Sequence, residues 1–333
     1  MPAGKAGRST GYRARIGPRA LIRIPVAIAA GVLLAVSLVG RLQWTAWPFE
    51  LVSNFPVQLL VLALLLAIVA ALARTWVGLA LAAVALAVNL AVVAPLFTSD
   101  PRAARDSGPR LTLGHLNGQT RSIDIAALGR YIVDQRFDVF VVLDPQQEDV
   151  PLLARAVPGY QVADTGSRPG PSTDFVRAVV LSRIPVTGVV HPADPALGPS
   201  AVTFTASVAD GPVTVLVLGT PSPTTPSRAH DRDTVLTAAA RWSLAQGTRR
   251  IVEGDFNATP WSPEFRRLVH EGALYDSLEG YGLQPTWPSA TFLVRIPIDH
   301  ALLGPGLAAT DRATGPTFGS QHRALRVTVA ARA

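Results

Sequence analysis

Two polar side chains, Asp255 and Asn257, stand two residues apart directly after a short apolar run. Gly254 loosens the turn before them, so we expect both side chains to be presented on one side at the end of a strand. A carboxylate and a carboxamide placed in this way can hold a phosphate together with its metal ion. The simplest alternative is an Asx turn that caps the following helix, because turns often use these residue types.

The composition excludes several kinds of site. The 333-residue chain contains no cysteine, which removes disulfides, thiolate metal sites and cysteine nucleophiles. The net charge is +7, but a large share of it falls in the first 23 residues, which contain no acid. The basic residues there are Lys5, Arg8, Arg13, Arg15, Arg19 and Arg23. Because the later part of the chain shows no basic clustering, we expect no nucleic-acid partner.

Apolar residues are concentrated before Thr98 and raise the mean hydropathy of the chain to +0.31. Three long stretches without a charged residue predict transmembrane helices at 24–40, 51–73 and 76–97. A cleavable signal peptide is the alternative for the first stretch. No small-residue cleavage motif follows it, however, and two more apolar stretches do, so we favour three membrane spans.

The distribution of basic residues predicts the orientation of these spans. A basic leader at 1–23, together with Arg74 in the short second turn, favours the cytoplasmic side by the positive-inside rule. Three crossings within 24–97 then place a linker at 98–110 and a globular domain at 111–333 outside the cell membrane. A re-entrant second stretch would leave the domain inside, but its 23 residues exceed the length that such a segment needs.

Gln58 and Asn89 are the strongly polar side chains inside the predicted spans. Nothing ionisable accompanies them, so we interpret them as partners in hydrogen bonds between helices and not as a functional pair. Trp44, Trp47 and Trp76 stand at the interface depths that tryptophan favours.

The residues after the linker alternate between strand and helix patterns. Helical spacing of apolar residues predicts helices at 123–135 and 228–246, and Ser262-Pro263-Glu264 suits the start of another. Short apolar runs predict strands at 111–116, 139–143, 178–182, 202–209, 213–218, 251–253, 298–303 and 325–329. Many strands, some of them consecutive, with few helices favour a mixed α+β sandwich.

The run GDFNATPWSPEF at 254–265 resembles the GDFN signature of the endonuclease/exonuclease/phosphatase superfamily. Further segments similar to the family's motifs follow in the family's order along 110–330. They are Asn117 after the first strand, DVFVVLD at 138–144, LSRIP at 181–185, PIDH at 297–300 and GSQH at 319–322. The resemblance implies a four-layered α/β/β/α sandwich of the DNase I-like type, which hydrolyses phosphoester bonds with Mg²⁺ or Mn²⁺.

The resemblance also implies a role for each matching residue. Asp255 and Asn257 would position the nucleophilic water and stabilise charge on the transferring phosphoryl group. Asp299 would orient His322, the expected general base. His115, which stands two residues before Asn117, is either a substitute imidazole or, as is more usual for a lone histidine in a strand, a structural residue.

The metal ligands implied by the resemblance are Asn117 and Asp144. Asp144 stands where the family has a glutamate and is one methylene shorter, with Glu148 as an alternative ligand. Two positions depart further from the family. Thr220 replaces a catalytic histidine and cannot protonate a leaving group as imidazole can, and Gln321 replaces an aspartate ligand.

Two functions are therefore expected. One is an extracytoplasmic, membrane-tethered phosphoesterase that acts on a lipid phosphate or pyrophosphate of the cell envelope. The other is a catalytically impaired pseudoenzyme that serves as a binding or scaffold subunit of an envelope assembly. The spans and domain together also resemble actinobacterial membrane proteins of the VanJ type, which implies a lipid-linked cell-wall intermediate as substrate. The expected partners are membrane lipids, a lipid-linked phosphate and other envelope membrane proteins.

Overall fold

The computed structural model describes residues 18–42, 47–99, 104, 108–118, 123–169 and 175–333. Most of the predicted leader, Trp44 and most of the predicted linker lie outside the described residues. The N-terminal region is helical. Its helices are α1 Pro18–Val39, α2 Pro56–Leu72, α3 Trp76–Val93 and the short α4 Pro95–Thr98, with a 3-10 helix at Phe49–Asn54.

Two of these helices are long and apolar enough to cross a membrane. The stretches are Ile22–Val39 in α1 and Trp76–Val93 in α3. Only 11% and 28% of their residues are buried, so most of these apolar residues are at least partly exposed. α2 is apolar but has 17 residues. It begins five residues later than predicted, because Pro56 occupies its first position and Phe49–Asn54 form a separate 3-10 helix.

The three longer helices pack on one another, and hydrogen bonds join them. Asn89 Nδ2 in α3 donates to Ser37 Oγ in α1 at 2.8 Å, which confirms the expected interhelical hydrogen bond. Arg23 Nε in α1 donates to the carbonyl oxygen of Ala73, just after α2, at 3.0 Å. The same expectation for Gln58 is wrong, because its amide bonds a loop of the following domain and not a neighbouring helix.

The rest of the chain forms a sandwich. Its helices are α5 Ile125–Asp134, α6 Asp149–Ala156, α7 Pro226–Leu244 and α8 Pro263–Glu271, with a 3-10 turn at Pro195–Leu197. Its strands are β1 Arg110–Asn117, β2 Val139–Leu143, β3 Gln161–Asp164, β4 Arg168–Pro169, β5 Phe175–Val176, β6 Ala178–Ser182, β7 Val186–Val190, β8 Val202–Ala206, β9 Val213–Gly219, β10 Arg250–Asp255, β11 Tyr275–Asp276, β12 Asp299–Leu303, β13 Leu307–Thr314 and β14 Leu325–Ala331.

Two mixed six-stranded sheets face each other. Their spatial orders are β13-β14-β1-β2-β6-β3 and β11-β12-β10-β9-β8-β7, while β4 and β5 form a separate pair. The central core lies between the sheets and contains, for example, Leu113 of β1 and Val215 of β9. α5 and α6 cover the outer face of the first sheet, and α7 and α8 cover that of the second. These layers confirm the predicted α+β sandwich of the DNase I-like type.

Local sequence explains several of these elements. Ser262 caps α8 by accepting from Phe265 N, with Pro263 at the first position, as predicted. β8 shows strict alternation of buried and half-exposed residues, but it ends at Ala206, three residues before the predicted end. Sequence reasoning missed the helix α6 and the strands β3, β4, β5, β7, β11 and β13. β7 is an exposed edge strand that contains Gly188, and β13 mixes alanine with charged and polar residues, so neither has a clear apolar pattern.

One end of the helical region packs against the sandwich. Contacts run from the 3-10 helix, the start of α2 and the end of α3 to α7, α8 and the loops beside them. They join Trp47 to Pro223, Glu50 to Arg232, Asn54 to Thr259 and Trp261 to Val92. Arg23 meets Ala73 at the opposite end of the helices, next to Arg74. Arg23 and Arg74 are therefore separated from the sandwich by the length of the helices, whereas Arg41, which follows α1, lies at the end that packs against the sandwich, near Arg266 of α8.

Candidate active site

Strand pairing brings four of the predicted site residues to the same end of the two sheets. β1 and β2 run parallel with Asn117 opposite Leu143, so Asp144 follows immediately beyond that pair. β10 and β12 run antiparallel with Asp255 opposite Asp299. Because β10 also lies parallel to β9, with Asp255 opposite Gly219, Thr220 emerges beside them. The ends of these strands form the floor of a shared site.

Asp255 is the centre of the site and is almost fully buried. Its carboxylate accepts from Asn117 Nδ2 at 2.9 Å, from the backbone N–H of Asn257 at 3.0 Å and from Asn257 Nδ2 at 3.2 Å. His322 Nε2 lies 3.7 Å from Asp255 Oδ2. Asn117, which comes from one sheet, and Asp255, which comes from the other, are thus in direct contact.

The backbone turns that present these side chains need unusual conformations. Gly254 has a φ of 138°, and a Cβ there would overlap the carbonyl oxygen of Leu218 on β9, so only glycine fits. Asn257 and Asp144 adopt left-handed conformations with φ of 45° and 51°. Asparagine and aspartate are the non-glycine residues that enter this region at the lowest cost. Asp255 Oδ1 accepts from Asn257 N in an Asx turn, and this turn builds the site. It does not cap the following helix, because Ser262 caps α8.

His322 is held in place from both sides. Its Nδ1 donates to Asp299 Oδ2 at 2.9 Å, as the resemblance implied. Its backbone N–H donates to Ser320 Oγ at 2.9 Å, and that hydroxyl donates to the carbonyl oxygen of Asn117. The imidazole is therefore oriented with Nε2 toward Asp255, which is the atom available to a substrate or water.

A second buried layer lies behind Asp299. His115 is fully buried and joins Glu253 Oε1 at 2.9 Å through Nδ1 and Asp299 Oδ1 at 3.4 Å through Nε2. Both ring nitrogens are engaged, so His115 is not a substitute for the missing catalytic histidine. Its structural interpretation is the one that the geometry favours. Glu253 was not predicted to be part of the site. The signal was present in the sequence, because a glutamate in the apolar strand β10 needs a buried partner.

The charges in these two layers shift the pKa values of their members. Burial alone would raise the pKa of Asp299, but His322 and His115 outweigh it and hold that pKa well below its usual range. Burial would lower the pKa of His322, but Asp299 and Asp255 raise it to about 9. By the same balance, burial opposes and the hydrogen bonds to Asp299 and Glu253 raise the pKa of His115 to about 9. Without a bound cation, the pair of His322 and Asp299 is an imidazolium and a carboxylate at neutral pH.

Asp144 and Asp255 carry the opposite kind of shift. Burial raises the pKa of Asp144 to about 6, and the charge of Asp255 adds to the effect. Burial likewise raises the pKa of Asp255 to about 6, although His322 opposes it. A half-buried carboxylate, Asp144, and a buried one, Asp255, whose ionised forms are both disfavoured fit a site for a divalent cation, which would stabilise both. Asp255, Asp299 and His322 also each offer a ligand atom within 4.8 Å of the others.

These residues fit Mg²⁺ or Mn²⁺ by their chemistry. Asn117 can offer an amide oxygen, and Asp144 and Asp255 offer carboxylates, which are the ligands that hard divalent cations prefer. Glu148, the alternative ligand, is exposed at the start of α6. The buried Asp and His cluster is consistent with a metal site.

The two departures from the family pattern have different surroundings. Thr220 is buried beside the site, and its Oγ1 has no hydrogen-bond partner among the described residues. Its carbonyl oxygen accepts from Asn257 Nδ2 at 2.8 Å. Gln321 is exposed, and its carbonyl oxygen accepts from Ser289 N. His300 lies outside the site, where Nε2 contacts the carbonyl oxygen of Ala258 at 3.0 Å, in agreement with a structural role.

The sequence profile described as "Endonuclease/Exonuclease/phosphatase family" matches residues 113–322. A comparison with curated proteins found no match.

Solved structures share the fold at low sequence identity. An endonuclease/exonuclease/phosphatase from Beutenbergia cavernae DSM 12333 has a TM-score of 0.55 at 18% identity, over 67% of this chain and 72% of that one. A mannosyl-6-phosphatase from Bacteroides thetaiotaomicron VPI-5482 has a TM-score of 0.51 at 17% identity, over 66% and 99%. A 3′ phosphatase from Neisseria, bound to a product DNA hairpin, has a TM-score of 0.53 at 17% identity, over 65% and 98%. At these identities the likeness establishes the fold alone.

Proposed function

Because the chain belongs to the endonuclease/exonuclease/phosphatase family, we propose that it is a membrane-tethered phosphoesterase that acts outside the cytoplasm. In this proposal it uses Mg²⁺ or Mn²⁺ and hydrolyses a lipid phosphate or pyrophosphate of the cell envelope. The observation that carries the proposal is the connected set of Asn117, Asp255, His322 and Asp299, linked at 2.9, 3.7 and 2.9 Å.

Each member of the set has a chemical task that its contacts support. Asn117, Asp144 and Asp255 would hold the cation, which when bound neutralises charge on the phosphoryl group and lowers the pKa of His322 by repulsion. Asp299 keeps the His322 ring oriented through Nδ1, so that Nε2 can take a proton from the attacking water. The bond from the backbone N–H of His322 to Ser320 Oγ fixes the backbone that carries this ring.

Two residues on the opposite side of Asp255 complete the proposed site. Asn257 is fixed by its bonds to Asp255 and to the carbonyl oxygen of Thr220, and it would position the phosphoryl group and the attacking water. The Thr220 hydroxyl, buried without a partner among the described residues, is suited to donate a hydrogen bond to a substrate oxygen. It cannot supply a proton to the leaving group, so substrates with good leaving groups should react fastest.

Three features support the membrane tether. Most residues of the two long apolar stretches in α1 and α3 are at least partly exposed. α1 also bonds α3 through Ser37 and Asn89, which favours a permanent span over a cleaved signal segment. Finally, Arg23 and Arg74 lie at the end of the helices away from the sandwich, which by the positive-inside rule supports a sandwich outside the cytoplasm. We propose that 24–97 forms three membrane spans, with the shorter α2 tilted less than its neighbours.

A second candidate function is favoured by specific observations. Thr220 leaves the site without its second histidine, and the exposed Gln321 brings no carboxylate to it. The loss of this histidine and of this carboxylate is what we would expect in a catalytically impaired domain. Such a domain would bind an envelope lipid or another envelope membrane protein. The resemblance of the spans and the domain together to VanJ-type membrane proteins is compatible with either function.

A hydrolysis assay distinguishes the two functions, with release of inorganic phosphate as the readout for a pyrophosphate and release of the alcohol as the readout for a phosphodiester. The full-length protein in detergent or nanodiscs is given a polyprenyl pyrophosphate or a simple phosphodiester, with Mg²⁺ or Mn²⁺, beside Asp255→Ala and His322→Ala variants. We expect the wild-type rate to exceed both variants by about 10² or more, as is typical of a lost catalytic acid or base. Equal rates for all three proteins would refute the enzyme and leave the binding function.

A further inference from the structure

The described part of the sandwich carries one run of exposed apolar side chains. Phe292, Leu293 and Val294 are exposed by 76%, 67% and 47%. Among the described residues of the sandwich, the other exposed large apolar side chains stand singly along the chain, as at Val190 and Leu244. Three adjacent exposed apolar residues are costly in water, so a partner surface is expected to cover them.

The loop that carries these residues is held in a defined shape. Trp287 and Ile296 pair through two backbone hydrogen bonds at its base. Within the loop, Arg295 Nε donates to the carbonyl oxygen of Pro288 at 2.9 Å, and Nη2 donates to that of Ser289 at 2.7 Å. The apolar tip therefore projects from a closed base, and its three side chains are left exposed.

The tip of the loop is bonded to the start of α2. Gln58 Nε2 donates to the carbonyl oxygens of Leu293 at 3.3 Å and Arg295 at 3.2 Å. Gln58 is the third residue of α2, and Val61 and Leu62, one turn further along, are exposed by 52% each. The apolar tip thus lies at the level where the outward-facing apolar surface of the helices begins.

The base of the same loop is bonded to the candidate active site. Ser289 N donates to the carbonyl oxygen of Gln321 at 2.8 Å, and Ser289 Oγ donates to that of Ser320 at 2.8 Å. Ser320 in turn fixes the backbone of His322. A single loop therefore connects the outer end of the helices with the catalytic side of the sandwich.

We propose that the loop 288–295 is a lipid-contacting loop. Phe292, Leu293 and Val294 insert into the outer leaflet of the bilayer that α1–α3 cross, and the loop guides a lipid phosphate from that leaflet to the side of the site formed by His322. This inference rests on the proposed function and names the surface through which its substrate enters. Its continuity with the exposed apolar surface of α2 argues for the bilayer as the occupant of the tip.

The absence of cysteine allows insertion to be tested without reference to activity. Leu293→Cys in the full-length protein is labelled with an environment-sensitive dye and reconstituted in nanodiscs that contain a lipid-borne quencher. The control is Leu244→Cys, an exposed apolar site about 18 Å along α7 from Arg232 at the helical junction. We expect a blue-shifted, quenched signal at 293 and neither effect at 244. Equal signals would overturn the proposal, as would a blue-shifted signal at 293 without quenching, which would indicate a protein partner or a second copy.

A rate comparison tests the delivery step. The double variant Phe292→Ser with Leu293→Ser is assayed on a lipid phosphate in vesicles and on a soluble diester. We expect the ratio of the vesicle rate to the diester rate to fall about tenfold, with no such fall for Leu244→Ser. An unchanged ratio would overturn the delivery step. If the wild-type protein hydrolyses neither substrate, the proposed function fails, and the dye experiment still decides whether the loop is inserted.

Discussion

At the residue scale, the site combines predicted and unpredicted members for a physical reason. Asp255, Asn257, Asp299 and His322 could be predicted because each stands in a contiguous motif next to a strand end. The pairing of Glu253 with His115 could not be predicted, since it depends on β1 and β10 facing each other across the sandwich. What a sequence can show is an acid and a histidine in apolar strands, and only the fold shows that they meet.

Replacing Thr220 by valine should raise the stability of the protein and lower its activity. Its buried hydroxyl has no partner among the described residues, so Thr220→Val should raise the free energy of unfolding by about 1 kcal/mol. The same change should lower kcat/KM about tenfold, because a hydrogen bond to a charged substrate oxygen is lost. Thr220→Ser, which keeps the hydroxyl, is the matched control for activity. A fully active Thr220→Val variant would show that the hydroxyl does not touch the substrate.

Asp144 should lower the stability of the folded protein when no metal is bound. Burial raises its pKa from 3.8 to about 6 in the folded state, so the cost to stability is present above about pH 6 and absent below about pH 4. At pH 8 without metal, Asp144→Asn should therefore be more stable by about 2 kcal/mol, as judged by thermal unfolding. Mg²⁺ should stabilise the wild type and have a smaller effect on the variant. A variant that is less stable than the metal-free wild type would contradict this account.

His322 should give the reaction an alkaline pH dependence. A general base must be unprotonated, and its surroundings raise the pKa of His322 from 6.5 to about 9, while a bound cation would lower it. The rate should therefore rise with pH through a single step between these two values. Thr220 does not titrate, so no descending limb from a second histidine is expected. A bell-shaped profile of kcat/KM with its maximum below pH 7 would argue against His322 as the base.

At the element scale, the junction between helices and sandwich is ionic and buried. Arg232 of α7 contacts Glu50 at 2.7 Å and Asp233 at 2.7 Å, with Glu264 of α8 at 4.0 Å. Burial raises the pKa of Glu264 to about 7, and the charges of Asp233 and Glu50 contribute while Arg232 opposes them. One buried cation therefore holds together three acids from three elements.

Removing that cation should open the junction. Arg232→Leu leaves three neighbouring carboxylates without their partner, so we expect a loss of about 3–5 kcal/mol in stability. Hydrogen exchange at the 3-10 helix Phe49–Asn54 should rise before the sandwich unfolds. The control is Arg241→Leu, which breaks an exposed pair with Asp194 and should cost about 0.5 kcal/mol or less. Similar effects from both variants would mean that the junction does not depend on Arg232.

The elements themselves were predictable to different degrees. Central strands such as β2 and β9 have continuous apolar runs, and α8 carries its own cap, so local sequence was sufficient. Edge strands such as β7 are exposed on several positions and pair with one neighbour. Their formation is decided by that pairing and not by a pattern of their own, which is why they were missed.

At the scale of the whole molecule, charge predicts which end of the helices carries the sandwich. The sequence places basic residues before α1 and at Arg74, and the structure places the sandwich at the other end of the helices. The contacts that join the two parts were not predictable, since Glu50, Asn54 and Gln58 read as polar residues in or beside an apolar span. Each proved to be a partner of the sandwich.

The central claim is that this chain is a phosphoesterase whose site faces the outside of a membrane. The most direct test uses sealed proteoliposomes that carry a polyprenyl pyrophosphate and Mg²⁺, with protease accessibility used to identify the molecules whose sandwich faces outward. Phosphate release by these molecules should stop when EDTA, which does not cross the bilayer, is added outside, and His322→Ala should show no release. Release that equals that of His322→Ala, or that persists after external EDTA, would contradict the account.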